Sequence, residues 1–269
     1  MIKLYHRHSE SDYHSLKWEY DKMKNLCRSG VPAPEVYEIV QVGQQYGYIM
    51  ERIDGATLGD FLQTKIQSLL SGDLSEQEFS CEVEEAVRKT AACLFEVHKS
   101  VLSKTQISGI NSFEDQLKWH TENTPLLTDN EKLRIISMID ALPKKQSVCH
   151  GDPNPNNIII GENGFRLIDW VNSGAGHFMY DIAEYVWVST PRENELPKDF
   201  PESVKSFIQG KGDAISSAFL EEYKRISGED VSDYHKWSIP LLAFKLGSSR
   251  TAEQKQELLK TIRSGLRGF

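Results

Sequence analysis

The sequence predicts an α+β chain in two unequal parts, residues 1–53 and 54–269. Three observations carry that reading. Strand-like segments are concentrated early, at Ile2–Tyr5, Glu35–Val42 and Tyr46–Arg52. From Thr57 onward, apolar residues recur at helical spacing behind identifiable caps. Within that helical part, Ile158–Ile160 and Phe165–Ile168 flank Gly161-Glu162-Asn163-Gly164, the pattern of a β-hairpin.

Ile2–Tyr5 alternates apolar and polar residues and carries Lys3. A helix then runs to about Cys27, entered through Ser9 or Ser11 and ended by Gly30 and Pro32. Its apolar stripe is Leu16, Tyr20, Met23 and Cys27, and Glu19 lies inside it. A carboxylate on a core-facing stripe is costly unless it is paired. Glu35–Val42 and Tyr46–Arg52 form a hairpin around Gly43-Gln44-Gln45. The second of these strands runs through Glu51, Arg52 and Ile53 into a bend at Gly55, a candidate hinge.

Thr57 caps a helix over Leu58–Leu70, and a Ser-Gly-Asp break separates it from a longer helix, about Glu76–Ser100. Val83, Val87, Ala91, Leu94 and Val97 make the apolar face of the longer one, with Cys81, Cys93 and His98 read as packing residues. Ser112–Asp115 and Thr128–Glu131 have the form of capping boxes for the next two helices. Gln146–Cys149 is a strand leading to the hairpin. Beyond it come helices at Asp181–Val188, Ser203–Gln209, Ala214–Ile226, Ser232–Lys245 and Ala252–Ile262.

Composition narrows the function classes. Apolar content of 39% and charged content of 26% are those of a water-soluble globular protein. Apolar runs are too short to span a bilayer, so no membrane role is expected. The net charge of −8 argues against a nucleic-acid partner and would suit a cationic one. Cys27, Cys81, Cys93 and Cys149 lack metal or disulfide spacing, which points to reduced thiols and a cytoplasmic location.

The hairpin is where chemistry concentrates. A three-residue loop, Glu162-Asn163-Gly164, would pair Gly161 with Phe165 and set Asn157 directly across from Asp169. Two hard oxygens would then meet at its open end, as an Mg²⁺ ion requires. Asp152 lies just upstream, on a loop stiffened by Pro153 and Pro155, where it could orient a hydroxyl nucleophile.

His150-Gly151-Asp152, then Asn157, then Ile168-Asp169-Trp170 resembles the catalytic signature of the aminoglycoside phosphotransferase and choline kinase-like family. That family shares the protein-kinase fold, with H-G-D-x-x-x-x-N and I-D-W in place of H-R-D-x-x-x-x-N and D-F-G. The resemblance implies a two-lobed kinase-like fold: residues 1–53 as a nucleotide-binding lobe and residues 54–269 as a catalytic and acceptor-binding lobe. It implies Mg²⁺ and ATP (or GTP), with γ-phosphoryl transfer to a hydroxyl of a small molecule. Asp152 becomes the catalytic base, Asn157 and Asp169 the metal ligands, and Lys3 and Glu19 the phosphate-binding pair. Glu51 and Ile53 become the adenine-binding hinge. His150 is a loop-bracing histidine, and Asp181 an aspartate that caps its helix and braces the catalytic loop.

Glu193, Glu195, Glu221 and Glu222 are candidates to face a cationic acceptor. The family has two strands and a Gly-rich loop before the lysine strand, and here Lys3 is the third residue. Either the start is placed too far downstream, as in a truncated kinase, or the loop is lost; both imply a reduced N-terminal sheet lobe, weak ATP binding, and a disordered or partner-paired N-terminus at a sheet edge. Two alternatives stay open: an atypical protein kinase, against which no A-P-E segment follows Asp169, and a catalytically silent kinase-like binding protein.

Overall fold

The structure, a computed structural model, describes residues 1–5, 10–100, 110–190, 200–247 and 251–267. Ser9, Glu193 and Glu195 lie outside the described residues. The first elements are β1 (Ile2–Leu4), α1 (Glu10–Arg28), β2 (Val36–Val42) and β3 (Gln45–Met50). The strands form one antiparallel sheet in the order β1-β3-β2, with Lys3 opposite Tyr48. Alternation along β3 buries Tyr48 and Met50, which pack with Leu16 and Tyr20 of α1 into a small core. Leu26, not Cys27, completes the buried stripe of α1, because Cys27 turns its thiol toward the carbonyls of Ala33 and Pro34.

The N-terminus differs from expectation. It is paired within the chain: β1 bonds to β3, and the Met1 ammonium donates to Met50 O at 2.7 Å. β1 is nonetheless the edge strand, and Ile2 is exposed.

A short strand, β4 (Ala56–Thr57), leads into α2 (Leu58–Ser71) and α3 (Glu76–His98). Both helices start in full capping boxes, Thr57 with Asp60 and Ser75 with Glu78. There follow β5 (Asn111–Ser112), α4 (Phe113–Asn123), α5 (Asp129–Ala141), β6 (Ser147–Cys149), β7 (Ile158–Gly161), β8 (Gly164–Leu167) and β9 (Gly174–Gly176). The last helices are α6 (Met179–Ser189), α7 (Glu202–Ser227), α8 (Ser238–Leu246) and α9 (Ala252–Arg267). Two further three-stranded sheets, β4-β7-β8 and β5-β9-β6, hold the hairpin and the strand before it. The main core wraps α3 and α6, with Ala91, Leu94, Val97, Ile182 and Phe219 among its most buried members.

Two expectations about helices are corrected. Ser203–Gln209 and Ala214–Ile226 are one helix, α7, running through Gly210 and Gly212. Gly212 is buried on the same face as Ser216, Phe219 and Tyr223, and packing there outweighs the weak helix propensity of glycine. Ser232–Lys245 is a 3₁₀ helix (Ser232–Trp237) followed by α8. Pro240 disfavours α conformation at the preceding residue, but it is tolerated in the first turn of a helix, where its missing N–H is not needed.

The hairpin closes one residue tighter than expected: Gly161 pairs with Gly164, and Ile158 with Leu167. With glycine at both closing positions no side chains resist the shorter loop, and Gly164 takes up the twist at φ +104°. Asn157 therefore faces Ile168, whose N–H donates to Asn157 O at 2.9 Å, and not Asp169.

Candidate active site

Asp169 follows β8 in the left-handed region (φ 58°, ψ 68°), alone in this among the described non-glycine residues. That conformation turns the chain out of the hairpin and into a 3₁₀ turn, Trp170–Asn172. The Asp169 carboxylate then meets Lys3 Nζ at 3.1 Å through Oδ1 and stays about half exposed. Lys3 also donates to Glu19 Oε1 at 2.8 Å. Burial pulls the Lys3 pKa down, but Glu19 and Asp169 outweigh it and leave the ammonium above its ordinary range. Glu19 is buried, and it is satisfied there: Tyr48 donates to Oε1 at 2.7 Å and Tyr5 to Oε2. The apolar stripe of α1 thus tolerates a carboxylate because three donors surround it.

Asp152 and Asn157 form the second group. Asn157 Nδ2 donates to Asp152 O at 2.9 Å and to Oδ2 at 3.2 Å, and Asn154 Nδ2 donates to Oδ1 at 3.0 Å. Asn157 closes a 3₁₀ turn, Pro155–Asn157, capped by the Asn154 side chain on Asn156 N–H. Fully buried His150 ties the two groups together. Its Nε2 donates to Ile168 O at 2.9 Å, and its Nδ1 accepts the Asp152 N–H at 3.3 Å. Burial depresses its pKa, so it stands neutral, as that pair of bonds requires.

Asp181, the third residue of α6, carries both oxygens to the His150–Asp152 loop, taking His150 N–H at 2.6 Å and Gly151 N–H at 2.8 Å. The helix N-cap is Phe178, so Asp181 is not a cap of its own helix, contrary to expectation. His98 Nε2 lies 3.0 Å from Asp181 Oδ2, and its Nδ1 is 2.7 Å from the Tyr223 hydroxyl. His98 is therefore a hydrogen-bonding member of the site's support rather than plain packing. Its place on the apolar face of α3, four residues after Leu94, was the available signal. His98, Cys149 and Asp181 converge closely enough to suggest a metal cage, yet His98 and Asp181 are already committed to these bonds.

Gly151 explains why glycine stands between His150 and Asp152. Its φ is +84°, and a Cβ there would sit 2.3 Å from Asn172 O. The His150–Asp152 loop and the Asp169 turn touch backbone to backbone.

Between the N-terminal sheet and the hairpin lies a cleft of about 510 Å³. Met50, Ile53, Ile159 and Ile168 supply apolar walls, and Lys3, Glu19 and Asp169 supply one charged end. Glu51 also lines it; its carboxylate accepts from Glu35 N–H at 3.1 Å and Arg166 at 3.4 Å. Two features a sequence reading passes over are the tyrosines holding Glu19 and the isoleucines forming the cleft wall.

Asn157 and Asp169 each keep a hard oxygen uncommitted, the donor type a divalent metal takes. Asn157 turns its Nδ2 to Asp152, which leaves its amide oxygen without a described hydrogen bond, and Asp169 commits only Oδ1. This donor set fits Mg²⁺.

The sequence profile of the phosphotransferase enzyme family (APH) matches residues 2–214. The chain belongs to that family. No curated relative matches it in sequence. Among solved structures, it is similar to a thermostable mutant of aminoglycoside phosphotransferase APH(4)-Ia, with 16% identity and a TM-score of 0.57 over 92% of this chain and 84% of the other. An aminoglycoside-3'-phosphotransferase of type VIII shares 18% identity, TM-score 0.55, over 90% and 84%. The amicoumacin kinase hAmiN in complex with AMP-PNP, Ca²⁺ and Ami shares 13%, TM-score 0.56, over 97% and 79%. At these identities the likeness establishes a kinase-like α+β fold with a helical C-terminal part, as the motif in this phosphotransferase implied.

Proposed function

We propose that this phosphotransferase moves the γ-phosphoryl group of ATP (or GTP) to a hydroxyl of a small molecule. The observation that carries the reading is the pairing of the Lys3–Glu19–Asp169 ion network with the Asp152–Asn157 pair, both anchored to one hairpin. The adenine would lie against Ile159 and Ile168, with backbone groups of Glu51 and Ile53 at the hinge. Lys3 neutralises phosphate charge, and Glu19 fixes its position. Asp152 orients the acceptor hydroxyl and takes its proton as the oxygen attacks γ-phosphorus and the bond to the ADP oxygen breaks. Asn157 and Asp169 would hold Mg²⁺, which when bound supplies charge neutralisation at the phosphates.

The acceptor class is a hydroxylated amine or sugar. The net charge of −8 favours a cationic one. Of the acidic candidates, Glu222 is already engaged by Arg225 and Arg88, and Glu221 stays exposed. Residues 1–53 act as the nucleotide lobe and residues 54–269 as the acceptor lobe. The four free thiols suit the reducing cytoplasm.

The test is nucleotide consumption against a panel of hydroxylated amines, sugars and antibiotics. Asp152→Asn should lower acceptor-dependent turnover about a hundredfold or more while nucleotide affinity holds. Wild-type turnover in that variant would refute the assignment.

A further inference from the structure

Lys22 is the least expected charge in the molecule. It is 1% exposed, on α1, three residues after Glu19 and on the same side of the helix. Its described hydrogen bonds reach no carboxylate. Instead Nζ donates to Val171 O at 2.5 Å and lies 3.4 Å from Ser173 O, while it sits 4.5 Å over the Trp18 ring. Those carbonyls belong to the turn Trp170–Asn172 and the residue that ends it, and Ser173 is itself buried and bonded back to Trp170 O. A cation at the carbonyl end of a helical turn is favourably placed, but a fully buried lysine is costly unless it does specific work.

The geometry shows what that work is. α1 grips the Asp169 segment twice. At the front, Glu19 holds Lys3 and Lys3 holds Asp169; behind, Lys22 holds the backbone two and four residues further on. Asp169 itself stands in a left-handed conformation, which aspartate enters more often than most residues but still at a cost that its surroundings must offset. The other side of the turn rests on Gly151 through Asn172 O. We propose that Lys22 is a positioning residue for Asp169: by tying the turn to α1 it keeps the carboxylate aimed at the metal and phosphates. The inference rests on the metal role proposed above for Asp169.

The test compares wild type with Lys22→Met, which keeps an unbranched apolar stem, one atom shorter, and removes the donor. Two quantities are measured: the Mg²⁺ dependence of AMP-PNP binding by calorimetry, and amide exchange of the 169–173 segment in the free protein. Loss of a group that orients a ligand costs about tenfold or more in metal affinity, so the Mg²⁺ requirement should rise by about that factor. Exchange of the segment should quicken by a similar factor, and metal-free nucleotide affinity should not move. A merely structural lysine would alter the melting temperature and leave the Mg²⁺ dependence alone. If Lys22→Met does not fold, Lys22→Gln, which shortens the reach to the carbonyls, should shift both quantities in the same direction. Unchanged Mg²⁺ dependence in the folded variant overturns the proposal while leaving the function intact. Absence of Mg²⁺-dependent binding in wild type overturns both.

Discussion

Asp181→Asn isolates the support of the loop that carries Asp152. The carboxylate takes three donors: Gly151 N–H on Oδ1, and His150 N–H and His98 on Oδ2. An amide of the same shape keeps one accepting oxygen, so one backbone N–H is left facing an NH₂ group in a site with no exposure. An unsatisfied buried donor costs about 1–3 kcal/mol, and the remaining bonds lose roughly 1 kcal/mol each when the acceptor is neutral. Relief from burying a charge offsets part of this. The expected net loss is about 3 kcal/mol, a large share of the roughly 5–15 kcal/mol that stabilises a domain. Urea unfolding followed by circular dichroism gives the loss, and the nucleotide-consumption assay gives the effect on the loop. Turnover should fall with stability, because His150 and Gly151 frame Asp152. A stability change under about 1 kcal/mol with unaltered turnover would refute the view that Asp181 shapes this loop.

Two further outcomes follow from the same structure. Gly151→Ala places a methyl 2.3 Å from Asn172 O at φ +84°, so it should destabilise by about 3 kcal/mol or more; a thermal melt matching wild type would contradict the close approach. Glu131 on α5 is held down to a pKa of about 2, first by Arg263 of α9. Its folded pKa lies below its unfolded one, so its contribution is present above about pH 4.5 and is lost as pH falls toward 2. Screened by solvent, that contribution is about 1 kcal/mol. The stability difference between wild type and Glu131→Gln should therefore shrink across that window, and a difference that grows there would contradict it.

Much of this was legible because local signals and tertiary demands agreed. The capping boxes at Thr57 and Thr128 set helix starts that the fold keeps, and Glu19 on an apolar stripe announced a buried ion pair. The hairpin misled by one residue, because glycines at 161 and 164 make two loop lengths nearly equal in cost. Helix α7 misled because the burial of Gly212 against a neighbouring element is invisible in local propensity. For His98 and Lys22 it was the bonding partners that were beyond reach, for a different reason. Their partners, Asp181 and the carbonyls of Val171 and Ser173, lie far away along the chain, and a backbone carbonyl leaves no mark in sequence.

The left-handed backbone at Asp169 sets stability against chemistry at one position. Glycine adopts that conformation freely, whereas aspartate enters it more readily than most residues but at a cost, so glycine would relax the turn. The exposed bond to Lys3 is worth little by comparison, so selection for heat resistance alone, with no nucleotide present, would drift toward Gly at 169. Such a lineage would gain melting temperature as it discarded its one negatively charged candidate metal ligand.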